Sequence, residues 1–216
     1  MYGVLIMLTS IPRNLNRLIH LKQSITLTGL GTEGFDAAVH GVQTIYQVFN
    51  NHVTRSGGRL KEWSPGRDGQ DLMLMFANCY LTSARDVGGE PSVDLAAMVD
   101  PFNVLRPLIK TEVHTADNVV EYWEHHSRES QSSKGSRYAL CTYHILPIQE
   151  SHILCSKGYT EIKPALLTLT HLVEVQVSFV IVRIARQEYV LIPKLRAICL
   201  LDRTVETVRI YTSQRK

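Results

Sequence analysis

The sequence predicts an α+β protein, in which an N-terminal strand and three to four helices pack on a C-terminal antiparallel β-meander. Three observations carry that expectation. Apolar residues recur at helical spacing through much of the first 126 residues, the period changes to two beyond a polar segment at 127–137, and the segments after it are separated by turn signals. With 216 residues, 44% of them hydrophobic and 20% charged, the chain can bury a sizeable core, so global disorder is excluded. The expected organisation is one domain over 1–216 with a flexible loop or linker at about 127–137. If the chain subdivides there, 1–126 is expected to be mainly helical and 138–216 mainly β.

Lys22 to Thr28 alternates, with Ile25 and Leu27 on one face and Ser24, Thr26 and Thr28 on the other, as a half-exposed strand does. After a glycine turn, Phe35, Ala38, Val39, Val42, Tyr46 and Phe49 fall on one helical stripe, with Thr32 placed to cap it and Asp36 in its first turn. Val53 to Gly69 holds five glycines or prolines together with Arg55, Arg59, Lys61 and Arg67, and reads as an exposed connection. A second, core helix is expected from about Gln70 to Arg85, because Leu72, Met75, Phe76, Cys79 and Tyr80 share a stripe. Ser92 can cap a short helix to Val99, and Pro101 and Pro107 fragment the chain beyond it. A further helix is expected from Asp117 to about His126.

The polar stretch SRESQSSKGSR then separates these elements from strands at Tyr138–Leu146, around Val173–Phe179, at Tyr189–Leu201 and at Val205–Tyr211. Val173, Val175, Val177 and Phe179 alternate with polar residues before the phase slips near Val180, as a bulge would cause. Turns are expected at 185–188 and 202–204. Pro193 has no ladder donor, which places it on an edge or at a bulge.

Charge is unevenly spread. Residues 1–30 carry three basic groups (Arg13, Arg17, Lys22) and no acid, residues 31–182 carry 12 basic against 17 acidic, and residues 183–216 carry eight against three. Local surpluses of this kind, more than the net +3, attract phosphates of nucleic acid or lipid. Four scattered cysteines favour reduced thiols and an intracellular setting, cytoplasmic or nuclear. The apolar stretch from Tyr2 to Leu8 lacks the flanks of a secretory signal, and no later run reaches the ~18 apolar residues of a spanning helix, so any membrane contact is expected to be peripheral.

Four constellations can be weighed for chemistry. Gly29-Leu30-Gly31-Thr32-Glu33-Gly34 is a literal G-x-G-x-x-G between a strand and a helix, where a pyrophosphate could meet backbone amides. Against it, a dinucleotide-binding first strand is apolar on both faces, whereas Ser24–Thr28 alternates. Cys141, His144, His152 and Cys155, in CTYHILPIQESHILC, are four side chains able to ligate zinc, although Cys141 and His144 lie three apart on an expected strand and so on opposite faces. Glu121 and His125, at i and i+4 on the expected helix, could do acid–base work, but such pairs are common on solvated helix faces.

The fourth constellation is basic. Lys194 and Arg196 share a strand face, Arg209 points away from its apolar neighbours Val208 and Ile210, and Arg183 and Arg186 lie close in sequence. Together they could form a sheet face that binds phosphates, the plainer reading being a solvated face whose cations block edge-to-edge aggregation.

The function expected from these residues is that of a non-enzymatic structural or interaction protein that self-associates. Its basic sheet face, Arg183, Arg186, Lys194, Arg196 and Arg209, is expected to hold an anionic lipid surface or RNA in nucleoprotein. No small-molecule substrate and no cofactor are called for. The alternative is a zinc-stabilised regulatory or metal-dependent protein built on Cys141, His144, His152 and Cys155. The expected order of elements, strand, helix, buried helix, polar loop, then antiparallel strands, is loosely similar to that of the matrix proteins of enveloped negative-strand RNA viruses. That resemblance implies a matrix-like virion component at the membrane periphery.

Overall fold

A computed structural model describes residues 2–6, 21–29, 31–88, 91–93, 111–126, 158–169 and 171–203. Among them the chain is dominated by strands, with one α-helix, α1 (Glu33–Arg55). The strands in chain order are β1 (Tyr2–Ile6), β2 (Lys22–Thr28), β3 (Arg59–Leu60), β4 (Gly66–Asp68), β5 (Asp71–Cys79), β6 (Thr82–Ser83), β7 (Glu112–Val113), β8 (Glu121–His125), β9 (Tyr159–Glu161), β10 (Leu172–Ala185) and β11 (Glu188–Asp202).

This corrects the expected fold class: the chain builds a large curled mixed sheet, not three to four helices on a meander. The sheet runs β4-β5-β2-β1-β10-β11-β8-β9, with β3 also paired to β11. β11 returns to β5 through the single pairing Lys194↔Ala77, so β5, β2, β1, β10 and β11 close on themselves. β6 and β7 form a separate small ribbon.

Two expected helices are strands. Over β5, Leu74, Phe76 and Asn78 face the core while Met75 is 66% exposed, a period of two, and β5 makes an antiparallel ladder with β2 from Lys22↔Cys79 to Thr28↔Met73. The helical stripe misleads because leucine, methionine and alanine supply apolar side chains to both faces of the strand and are also strong helix formers. The segment Asp117–His126 instead forms a tight 3-10 turn (Ala116–Asn118) followed by β8, which lies parallel to β11. Tyr122 and Trp123 favour that extended state.

Other expectations match. β2 is a strand, although not a half-exposed one, since Thr26 and Thr28 on its polar face are also buried, and α1 buries Phe35, Val39 and Val42 on the stripe expected of them, continuing to Val53. Helix α1 thus covers the curl, whose interior is filled by Leu27, Leu74, Phe76, Val173, Leu195, Ile198 and Leu200. A second cluster of Val53, Leu60 and Leu191 joins the end of α1 to β3 and β11. The hairpin of β10 and β11 turns where the sequence indicates, with Ala185 paired to Glu188 and Gln187 in the left-handed region at φ 64.

The phase slip expected near Val180 is absent. Val177, Phe179 and Ile181 all remain on the core side, so the apolar run from Val177 to Val182 reflects a strand with apolar residues on both faces. The bulges lie elsewhere. Gln176 pairs with Ala197 and Val177 with Leu195, which leaves Arg196 as the extra residue and shifts the inward positions of β11 from Leu195 to Ile198. Pro193 lies on the stretch of β11 between its pairings to β3 and β5, where no described strand needs its missing donor. The expected strands at 138–146 and 205–211, the short helix to Val99 and the loop at 127–137 fall outside the described residues.

Candidate functional site

Lys194 and Arg196, two of the five cations expected to bind phosphate, meet at one acid. Asp117 lies in the 3-10 turn that Thr115 caps: the Thr115 amide donates to Asn118 Oδ1 at 3.0 Å, and Asn118, 1% exposed, anchors the turn by donating to Thr82 Oγ1 at 2.9 Å. The turn is held further by Asn78 Nδ2, which donates to the Asp117 carbonyl at 2.9 Å. Lys194 Nζ pairs with Asp117 Oδ2, and Arg196 Nη2 with Oδ1 at 2.5 Å. The Arg196 guanidinium also donates to the Asp117 carbonyl and to Ser178 Oγ, both at 2.7 Å.

Alternation explains this convergence. Lys194 and Arg196 flank the inward Leu195 and so share the other face of β11, where both heads reach one carboxylate. Burial alone would raise the Asp117 carboxyl, but the hydrogen bonds and charges of Lys194 and Arg196 hold it below the usual carboxylate value. Three donors of Arg196 are already committed, which suits a clamp between β11 and the 116–118 turn better than an open phosphate site. Arg203 is likewise engaged, donating to both carboxylate oxygens of Glu124 at 3.0 and 2.8 Å.

Arg183 and Arg186 are placed differently. Both are exposed at the end of the β10–β11 hairpin, where Arg183 Nε donates to the Ala185 carbonyl at 3.2 Å. β3 runs parallel to β11 there, with Arg59 opposite Glu188 and Leu60 opposite Tyr189; the Arg59 amide donates to the Gln187 carbonyl and the Lys61 amide to the Tyr189 carbonyl, both at 2.7 Å. Leu60 is buried, so Arg59 and Lys61, its exposed neighbours, lie on the opposite, outward side. Arg55 closes α1 just before β3. The hairpin end therefore exposes Arg59 and Lys61 on its outward face, with Glu188 opposite Arg59, and Arg183, paired with Tyr189, on the other face; Arg186 in the turn and Arg55 at the end of α1 are exposed as well. Sequence reasoning places Arg55, Arg59 and Lys61 only in a loop. Their companionship with the hairpin depends on a parallel pairing about 130 residues away in the chain, which no local signal reveals.

The remaining constellations resolve unequally. Cys141, His144, His152, Cys155 and Arg209 lie outside the described residues; among those described, no group of three or more His, Cys, Asp or Glu could hold a metal ion. Glu121 and His125 are on strand β8, where four residues span roughly 13 Å. Trp123 stands between them and donates through Nε1 to Glu121 at 3.1 Å, while His125 packs on Tyr159 with ring centroids 4.9 Å apart. They do not form a pair.

The glycines of the G-x-G-x-x-G segment have structural duties. A β-carbon on Gly29 would overlap the Phe35 side chain, and Gly31 has φ +76, whereas Gly34 has no neighbour that a β-carbon would meet. β2 is antiparallel to both its neighbours, β1 and β5, unlike the parallel first strand of a dinucleotide fold. The adjacent recess is lined by Asp36 and Asp71 as well as Arg67, and Glu33 and Asp36 already occupy the first turn of α1.

Burial raises the hydroxyls of both Tyr80 and Tyr122, and Tyr122 donates to Gln23 Oε1 at 2.8 Å, so both phenols stay neutral at ordinary pH. Among the described residues no helix is long and apolar enough to cross a membrane. Comparison with protein-family models, with curated proteins and with solved structures finds no match. The likeness to viral matrix proteins depends on an order of elements, including a buried second helix, that the chain does not adopt.

Proposed function

We propose that the chain is a non-enzymatic interaction protein that holds a phosphate-bearing partner, anionic membrane or nucleoprotein, at the basic end of its sheet. The observation that carries this reading is the exposure of Arg59 and Lys61 on the outward face of the hairpin end, with Arg186 in its turn, Arg183 on the other face and Arg55 at the end of α1 also exposed. Exposed cations on neighbouring strands make a local positive field that steers and holds phosphates without a shaped pocket. Lys194 and Arg196 contribute as structure: their clamp on Asp117 fixes β11, and β11 presents the hairpin.

The test is co-sedimentation of the full chain with anionic vesicles, and gel-shift with single-stranded RNA, at about 50 and 200 mM salt, a range over which phosphate contacts weaken strongly. Binding to either should fall with salt and fall again in Arg183→Glu/Arg186→Glu, with melting unchanged. If neither ligand is bound at about 50 mM salt, the reading is wrong.

A further inference from the structure

We propose that the outward face of the β10–β11 hairpin docks on an anionic lipid bilayer, with Val182 and Ile184 entering the interface and the neighbouring cations meeting headgroup phosphates. The inference rests on the basic-end reading and names its partner. Because Phe179 and Ile181 pack inward, Val180 and Val182 point outward, paired with Ile192 and Val190 across the hairpin. Val182 is 41% exposed, and Ile184, the residue skipped in the register between Arg183 and Ala185, is 54% exposed. Four β-branched side chains thus share an outward strip, and Ile184 extends the exposed apolar surface towards the turn.

Cations rim this strip. Arg59 lies outward on the adjacent β3, opposite Glu188, with Lys61 just beyond it, and Arg186 sits in the turn, so cations outnumber that acid here. Apolar surface edged by lysine and arginine suits an anionic membrane interface, where apolar burial and charge attraction add. A nucleic acid would use the cations but leave the valines and isoleucines idle. Tyr189, the aromatic residue here that could stack on a base, faces inward and packs against the cluster of Val53, Leu60 and Leu191. Face-to-face contact with a second copy would oppose like-charged rims.

The test compares the wild type, Val182→Ser/Ile184→Ser and Arg59→Glu/Lys61→Glu on phosphatidylcholine vesicles with and without phosphatidylserine, with melting as a folding control. The wild type should bind only the anionic vesicles, and the serine pair should weaken that partition by about tenfold or more without lowering the melting temperature. In Ile184→Trp, added fluorescence should shift to the blue on anionic vesicles. Serine-pair binding equal to wild type, with the glutamate pair alone defective, would overturn insertion while leaving the basic-end reading intact. Wild type that binds RNA but not vesicles overturns the bilayer and keeps that reading, and binding to neither overturns both.

Discussion

Replacing Gly29 by alanine should cost far more stability than the same change at Gly34, in the same glycine-rich segment. An added β-carbon at Gly29 would lie 2.7 Å from Phe35 Cδ1 and closer still to Cβ and Cγ. Phe35 is 3% exposed, so its ring cannot step aside into solvent without leaving the core. Overpacking costs about 1–3 kcal/mol and loss of a buried phenylalanine about 3–5, which puts Gly29→Ala near 3 kcal/mol. For a chain of this size that lowers the melting temperature by roughly 6–12 °C.

Gly34 is helical, with no atom near an added methyl, so alanine there should be neutral or stabilise by up to about 1 kcal/mol. Thermal unfolding followed by circular dichroism separates the two. A phosphate-cradling loop would behave otherwise, both changes sparing the fold and weakening a ligand. Gly29→Ala melting within about 1 °C of the wild type would refute the packing argument.

Two further outcomes test the clamp. Asp117→Asn leaves Lys194 and Arg196 facing an uncharged amide and should destabilise by about 1–2 kcal/mol, a figure already reduced because the carboxylate is partly solvent-screened. Because folding lowers the Asp117 carboxyl, its contribution is present above the usual carboxylate value and is lost as pH falls through the folded value; in Asp117→Asn this acid loss should shrink. Asn118→Ala removes the amide that joins Thr115 to Thr82 and should cost about 1–2 kcal/mol by denaturant titration, with a larger loss if the freed Thr82 and Thr115 groups stay dry.

What the sequence discloses here depends on locality. Helix α1, β2 and the Ala185–Glu188 turn are set by neighbours within a few residues, and each is legible. β5 is not, because both of its faces are apolar and its composition is helix-favouring, so only the ladder to β2 decides its state. β8 is five half-buried residues that exist as a strand by pairing with β11. The candidate site divides the same way. Arg183 and Arg186 are readable from a predicted turn, and the shared face of Lys194 and Arg196 from alternation, but their partnership with Asp117 spans 77 and 79 residues and has no local signal.

The position of β11 also sets an order of events during synthesis. β3 takes its pairing from β11 alone among the described residues, β8 lies between β11 and β9, and β5 meets β11 where the curl closes. Until residues 188–202 leave the ribosome, those earlier strands have been made but lack the strand that unites them. The nascent chain therefore carries open strand edges until then and completes its sheet only over contacts of long sequence separation. Chaperone dependence during synthesis is the expected companion of such a design.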